Sequence, residues 1–276
     1  MRTRDFIKRS CMMLLAGCAV CISLGACSND EQDETDNEKG SGTSGVVDPS
    51  KVFTGERPKA VAGMSIAYNT EGLVTGINDK DGTKVTFEYH NVTRAVDKSR
   101  YVRMTVVDDE TFVFDMVLNE QGFVKHCDEI DTDDGTDTWD FEYTEDGLMN
   151  YMKRSEGGNE VTRVTYQNGD AIKMTMVSED DPDDSQEADI YYTSDKVTTP
   201  IENKGCLMLF DNALRVDLDE MEYAYYAGLL GKATKHLPVK NSDYTLNWTL
   251  NDKGYPTQLV IPEGMPAWEY TYTFEW

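Results

Sequence analysis

The chemistry open to this chain is set by where its histidines, cysteines and carboxylates fall. The histidines are His90, His126 and His236. His126-Cys127-Asp128 puts three metal-ligand types in a row, but consecutive strand residues point to opposite faces, so His126 and Cys127 cannot share an ion. No His-Glu-x-x-His, Gly-x-Ser-x-Gly or phosphate-cradling glycine loop occurs. Carboxylates are so numerous that no pair stands out for acid–base work, and the reading is a non-enzymatic protein with no catalytic residue. Two loops concentrate them, residues 128–137 (DEIDTDDGTD) and 179–189 (EDDPDDSQEAD). Calcium takes about six to eight oxygens, and Asp131, Asp133, Asp134, Asp180, Asp181 and Asp183 are the candidates to supply them. The EF-hand register fails, because Gly135 or Gly82 at loop position six puts Ile130 or Ile77 at position one. Solvated acidic loops, with neither metal nor cofactor, are therefore expected.

Cysteine placement points to lipid chemistry. Arg2, Arg4, Lys8 and Arg9 precede an apolar stretch and then small residues, the layout of a secretory leader. Leu15-Ala16-Gly17-Cys18 and Leu24-Gly25-Ala26-Cys27 both resemble the box cut before a lipidated cysteine. Cleavage at Cys18 leaves an apolar core of about eight residues and an apolar mature start; cleavage at Cys27 leaves about 14 residues and a polar start. Cys27 is favoured over Cys18. No other stretch reaches about 18 apolar residues, so no other segment is expected to span as a helix. The two remaining mature cysteines, Cys127 and Cys206, could pair in an oxidising compartment, but the strand-like setting of Cys127 favours two free thiols.

The net charge is −25, and removal of residues 1–26 makes it −28. Such a surface excludes nucleic acid as a partner and leaves a glycan or an envelope protein open. Residues 27–50 are acidic, then Gly/Ser-rich, and read as a flexible tether with a reach on the order of 25 Å.

Residues 51–276 read as a single β domain. Trp139-Asp140-Phe141-Glu142-Tyr143 and Trp268 to Trp276 alternate with period two, which means one apolar and one wet face. YNTEGLVTGI (68–77), LNEQGFVKHC (118–127), YTEDGLMNYM (143–152), the shorter YQNGDAIKM (166–174) and LNDKGYPTQL (250–259) repeat one hairpin plan. Five residues past each glycine stand Ile77, Cys127, Met152, Met174 and Leu259, expected to share a face with the residue just after the glycine. An antiparallel meander of hairpins follows, curled into a half-barrel or barrel-like sheet. One short helix is expected near 218–230, with Asp217 as N-cap, Glu220 completing a capping box and Gly231 as the stop, covering one end of the sheet.

The hairpin units resemble the tyrosine-aspartate repeats of wall-associated and toxin shell proteins. The whole layout, from lipobox and acidic linker to YAGLLGKATKHLP (226–238) and the terminal YTYTFEW, resembles a Bacteroidetes lipoprotein family of unknown function described as having a porin-like fold. That resemblance implies no catalytic residue, and it implies that an acidic run after the lipidated cysteine acts as a surface-export signal. The expected protein is lipid-anchored at the outer membrane and surface-exposed, a non-enzymatic binding or scaffold module. Two alternatives stand beside it. The tryptophans and tyrosines could stack on sugars, as in a glycan-binding accessory lipoprotein, with Trp248 the residue to test. The terminal run Trp268, Tyr270, Tyr272, Phe274 and Trp276 is similar to the targeting signal of an outer-membrane β-barrel. Lys125 and Asp170 on the apolar face and the shortness of many strands oppose that second alternative.

Overall fold

The computed structural model describes residues 47–90, 101–131, 135–262 and 269–276. The strands are β1 (Ala60–Val61), β2 (Met64–Tyr68), β3 (Val74–Asn78), β4 (Lys84–His90), β5 (Tyr101–Val107), β6 (Thr111–Leu118), β7 (Val124–Asp131), β8 (Gly135–Tyr143) and β9 (Met149–Arg154). They continue as β10 (Glu160–Gln167), β11 (Asp170–Ser178), β12 (Gln186–Tyr191), β13 (Ile201–Glu202), β14 (His236–Leu237), β15 (Lys240–Asn241), β16 (Asn247–Leu250), β17 (Pro256–Pro262) and β18 (Glu269–Glu275). A single helical turn, α1 (Glu156–Asn159), joins β9 to β10, and α2 (Glu222–Tyr226) is the one further α-helix among the described residues. Sixteen strands form one antiparallel sheet in the order β15-β12-β11-β10-β9-β8-β7-β6-β5-β4-β3-β2-β1-β18-β17-β16, and β13 pairs with β14 alone.

The order runs almost in a ring. The first and last strands meet, with Ala60 opposite Glu275 and Val61 opposite Phe274. The sheet is nevertheless not closed, because its edges are β15 and β16, which follow one another in sequence. The turn between them bridges the edges, through a Lys240–Thr245 bridge and a Leu246 N–H to Val239 carbonyl bond of 2.9 Å, and the Trp248 indole donates to the Pro238 carbonyl at 2.6 Å.

The repeated hairpins have a common local cause. Asn69, Asn119 and Asn251 each accept two backbone N–H bonds on the side-chain oxygen, from the residues two and four further on. This side-chain mimic of a turn lowers the cost of reversing the chain. Thr144 does part of the same work, its hydroxyl accepting from Leu148 N–H. The glycine that follows, φ 82° at Gly72 and 90° at Gly122, occupies a left-handed position that side chains avoid.

All five expected inward positions are buried: Ile77, Cys127, Met152, Met174 and Leu259. Their relation to the glycine differs from the sequence reading. Each hairpin carries a bulge three residues past its glycine, at Thr75, Lys125, Asn150, Ile172 and Thr257, where the register slips by one. A bulge adds one residue and shifts the face. The residue two past the glycine is therefore the inward partner: Val74, Val124, Met149, Ala171 and Pro256 are all buried. Lys125, placed by simple alternation on the apolar face, is instead an exposed bulge residue.

The curled sheet is filled by its own chain. Residues from Leu207 to Leu230 supply Phe210, Leu214, Leu218, Met221, Tyr225 and Tyr226, all with at most 2% exposure. Tyr225 packs edge-to-face on Phe53, Phe210 and Tyr226 at 5.6, 5.4 and 5.4 Å. Its hydroxyl donates to the Cys206 carbonyl and that of Tyr226 to the Met208 carbonyl, so neither polar tip is buried unpaired. The helix starts and stops elsewhere than expected. Asp219 to Met221 form a 3-10 turn ahead of α2, and Leu218 occupies the N-cap position with no side-chain bond. Asp217 accepts from Asp219 N–H at 3.4 Å, two residues on, while both carboxylates turn to an arginine described below. The stop is Gly228 rather than Gly231: Gly228 N–H donates to Tyr225 and Leu229 N–H to Ala224, the double bond of a Schellman cap. Packing also begins earlier than residue 51, with Val47 and Pro49 already buried.

Candidate functional site

Turn parity gives the sheet two unlike ends. The glycine hairpins 69–73, 119–123, 144–148, 168–169 and 251–255 share one end, here the hairpin end. The connections 79–83, 108–110, 155–159 and 179–185 share the other, here the acidic end.

Just inside the acidic end lies the densest cluster of titratable side chains. Arg154 ends β9 two residues after Met152 and keeps its inward direction, at 3% exposure. Glu160, its cross-strand partner on β10, accepts from Nε at 2.6 Å. Asp219 accepts from Nη1 at 2.5 Å and Asp217 from Nη2 at 3.5 Å. The guanidinium also lies 5.6 Å from the ring centre of Trp139, its cross-strand neighbour on β8. Trp139, fully buried, donates its indole N–H to Glu129 Oε2 at 2.6 Å. Burial pushes the Glu129 carboxyl up to about 8. The Trp139 bond opposes that rise, and the charges of Glu220, Glu156 and Asp219 add to it. For Arg154, burial alone would favour the neutral form, but Asp219, Asp217 and Glu160 outweigh it and hold the guanidinium charged.

The arrangement ties the internal segment to the wall. Three acids from β10 and the segment before α2 converge on one buried cation, with the Glu129 carboxyl, raised in pKa by burial, behind an indole ring. It offers no room for a substrate: Glu129 is 7% exposed. A small cavity lies elsewhere, lined by Leu209, Leu214, Leu237 and Trp248, with a volume of about 10 Å³. That holds about one water, far below a ligand pocket.

A second meeting of titratable groups lies at the hairpin end. Asp170 accepts from His236 N–H at 2.9 Å and stands 2.7 Å from its Nδ1. Tyr192 packs edge-on to the His236 ring at 6.3 Å. Asp170 thus faces a strap rather than lipid or core. The strap, 228–239, also bonds to the Gly147 and Gly169 carbonyls through Lys232 and Lys235 N–H.

Of the residues named from sequence, Cys18, Cys27, Asp133, Asp134 and Trp268 lie outside the described residues. Asp181 accepts from Asp183 N–H at 3.3 Å and Asp180 from Asn159 Nδ2 at 3.0 Å, so these carboxylates shape their own turn; Asp131 ends β7, half-buried. Among the described residues no three His, Cys, Asp or Glu side chains are grouped to hold an ion. Cys127 faces the core while His126 lies on the outer face, 2.8 Å from Asp140 and 3.4 Å from Asp128. Cys127 and Cys206 are both free thiols, the first buried and pushed up in pKa by burial. His90 pairs with Glu88 at 3.4 Å on the outer face. Arg154, Glu160, Asp217 and Asp219 were not singled out as a cluster. The available signal was a charge two residues after Met152, on the inward parity of a strand.

The outer face is polar. Glu88, Arg103, Asp115, Asp128 and Thr138 stand in one cross-strand row over β4 to β8. Arg103 grips Asp115 at 2.7 and 2.8 Å, and against the cost of burial this holds the Asp115 carboxyl below its usual range. A lipid-facing barrel needs the opposite arrangement, apolar outside. Among the described residues no helix is long and apolar enough to cross a membrane.

The family model of a domain of unknown function with porin-like fold (DUF4595) matches residues 62–275. No curated relative matches. The crystal structure of a porin-like protein from Bacteroides uniformis, at 18% identity, superposes with a TM-score of 0.54 over 77% of this chain and 88% of that one, a likeness of fold. The chain belongs to the DUF4595 family of porin-like domains of unknown function.

Proposed function

We propose that this chain is an exported lipoprotein, lipidated at Cys27 after removal of residues 1–26. Residues 27–50 hold the domain off the outer membrane, and the domain serves at the cell surface as a non-enzymatic binding or scaffold module. One observation carries the reading. The sheet turns its apolar face onto its own chain and its charged face to water, so a separate anchor is required to keep it at a membrane. Three acyl chains on one cysteine would give stable attachment, since two already suffice.

The glycan alternative is less well supported. The described indoles and phenols are mostly half-buried or buried, and several spend their polar tips on backbone carbonyls. Tyr191 and Tyr270 are the exposed large aromatics among the described residues.

Palmitate labelling of wild type, Cys18→Ala and Cys27→Ala in the native host tests the anchor. Cys27→Ala is expected to lose the label and, because cleavage needs that cysteine, to keep its leader and run as a larger precursor. Loss of label only in Cys18→Ala would move the site, and a protein lacking residues 1–27 that still demands detergent would favour a spanning barrel.

A further inference from the structure

We propose that the anchored domain stands on the membrane by its hairpin end, with the acidic end directed away from the lipid. This rests on the lipid anchor proposed above and adds to it a membrane-facing surface.

The first argument is where the chain enters. The described residues begin at Val47, and the segment from there to Arg57 runs across the hairpin end. Lys51 Nζ donates to the Gln121 carbonyl at 3.4 Å, Arg57 Nη1 to the Gly72 carbonyl at 2.5 Å, and Glu56 N–H to the Tyr255 hydroxyl at 3.0 Å. Gln121, Gly72 and Tyr255 belong to three different hairpins of that end. Phe53 and Pro49 pin the entry from inside, against Tyr225 and Gly228. Cys27 stands 20 residues before Val47 in sequence, while the longer strands separate the two ends of the domain by about 3.3 Å per residue over seven to nine residues. The far end of the domain therefore cannot approach the bilayer as readily as the end that holds the tether.

The second argument is charge. The hairpin end carries Lys51, Arg57, Lys204, Lys232, Lys235 and Lys253 among its carboxylates. Lys204 Nζ lies along the last hairpin, donating to the Lys253 carbonyl at 3.1 Å, and Lys253 pairs with Glu56 at 2.7 Å. The connections of the acidic end read NDKDGT (78–83), DDE (108–110) and EDDPDDS (179–185), with a single lysine among them. An anionic bilayer repels that end and tolerates the other. Attachment point and charge thus select the same face.

The test uses the full lipoprotein, purified and reconstituted into phosphatidylethanolamine/phosphatidylglycerol vesicles that contain a headgroup-nitroxide lipid. A fluorophore is placed by Glu120→Cys or Asp252→Cys at the hairpin end, and by Asp109→Cys or Asp183→Cys at the acidic end. All four positions are exposed, and the unsubstituted protein supplies the labelling blank for Cys206. Flotation with the vesicles reports the anchor separately from the orientation. Quenching severalfold stronger at residues 120 and 252 than at 109 and 183, with the contrast reduced in high salt, is the expected result. Equal quenching at both ends in floating protein, or stronger quenching at the acidic end, overturns the orientation while leaving the anchor intact. Failure to float sinks the anchor and the orientation with it.

Discussion

Tyr143 donates its hydroxyl hydrogen to the carbonyl oxygen of Val124 at 2.8 Å, and Val124 stands two residues past the glycine of its hairpin. The same relationship recurs around the sheet. Tyr89 reaches the Val74 carbonyl at 2.7 Å, Tyr166 the Met149 carbonyl at 2.8 Å, and the Trp276 indole the Pro256 carbonyl at 2.6 Å. Each acceptor lies beside a bulge, where the ladder is interrupted, and each donor comes from the next strand. The aromatic at the strand end is thus the device that satisfies the carbonyl beside the bulge.

From this follows an expected difference between two tyrosines. Tyr143→Phe strips the donor from a buried carbonyl and should cost about 1–2 kcal/mol. The hydroxyl of Tyr192 lies near Thr234 and near Ala171, the equivalent position of the fourth hairpin, but meets neither in good hydrogen-bond geometry. Tyr192→Phe should therefore be neutral or slightly stabilising. Urea denaturation of the two variants checks this, and equal losses in both would remove the bulge–carbonyl explanation.

Arg154 gives the second expectation. Replacing it with Met leaves Glu160 buried and Asp217 and Asp219 without the cation they share, a change that typically costs about 3–5 kcal/mol. Adding Glu160→Gln to Arg154→Met should recover part of that loss, because the buried unpaired charge is then gone. Chemical denaturation of the single and double variants measures the coupling; strict additivity would show that the two side chains act independently.

The hairpins were legible because their cause is local. Asn69, Asn119 and Asn251 build their turns from their own next four residues, and the glycine position follows. The five inward residues were also found, although by a count that happened to step across the bulge. What sequence could not give is non-local. Lys125 was assigned to the apolar face because alternation carries no mark of an inserted residue. The expected helix begins too early because Asp217 and Glu220 satisfy the capping pattern in sequence, whereas Asp217 is drawn to Arg154, some 60 residues earlier. The seam between β15 and β16 depends on how far the sheet curls, which no single strand records.

Gly228 supplies a third expectation, on the helix stop. It has φ 78°, and a Cβ there would lie 2.8 Å from the Pro49 Cα, a backbone atom that cannot swing aside. Gly228→Ala should cost about 2–4 kcal/mol from the left-handed strain and the clash together. Gly82, with φ 113° and open space around it, is the control and should lose only the backbone part, about 1–2 kcal/mol. Thermal unfolding of the pair separates close packing from backbone strain.

The pH dependence of stability should carry the signature of Glu129. Its carboxyl, raised from 4.5 to about 8 in the folded protein, keeps its proton where the unfolded chain has lost it. The unfolded state therefore binds fewer protons than the native state at this site between those two values, and stability falls as pH rises through them. Above about 8 both states are ionised and this contribution levels off at its lowest value. Glu129→Gln keeps an acceptor for the Trp139 indole and adds a donor toward Asp219 and Glu220 without ever charging. The variant should exceed wild type at pH 8 by on the order of 2 kcal/mol, and the two should converge toward pH 5. Urea denaturation at a series of pH values gives the difference curve; a gap that stays constant with pH would mean that Glu129 is ionised in the folded protein.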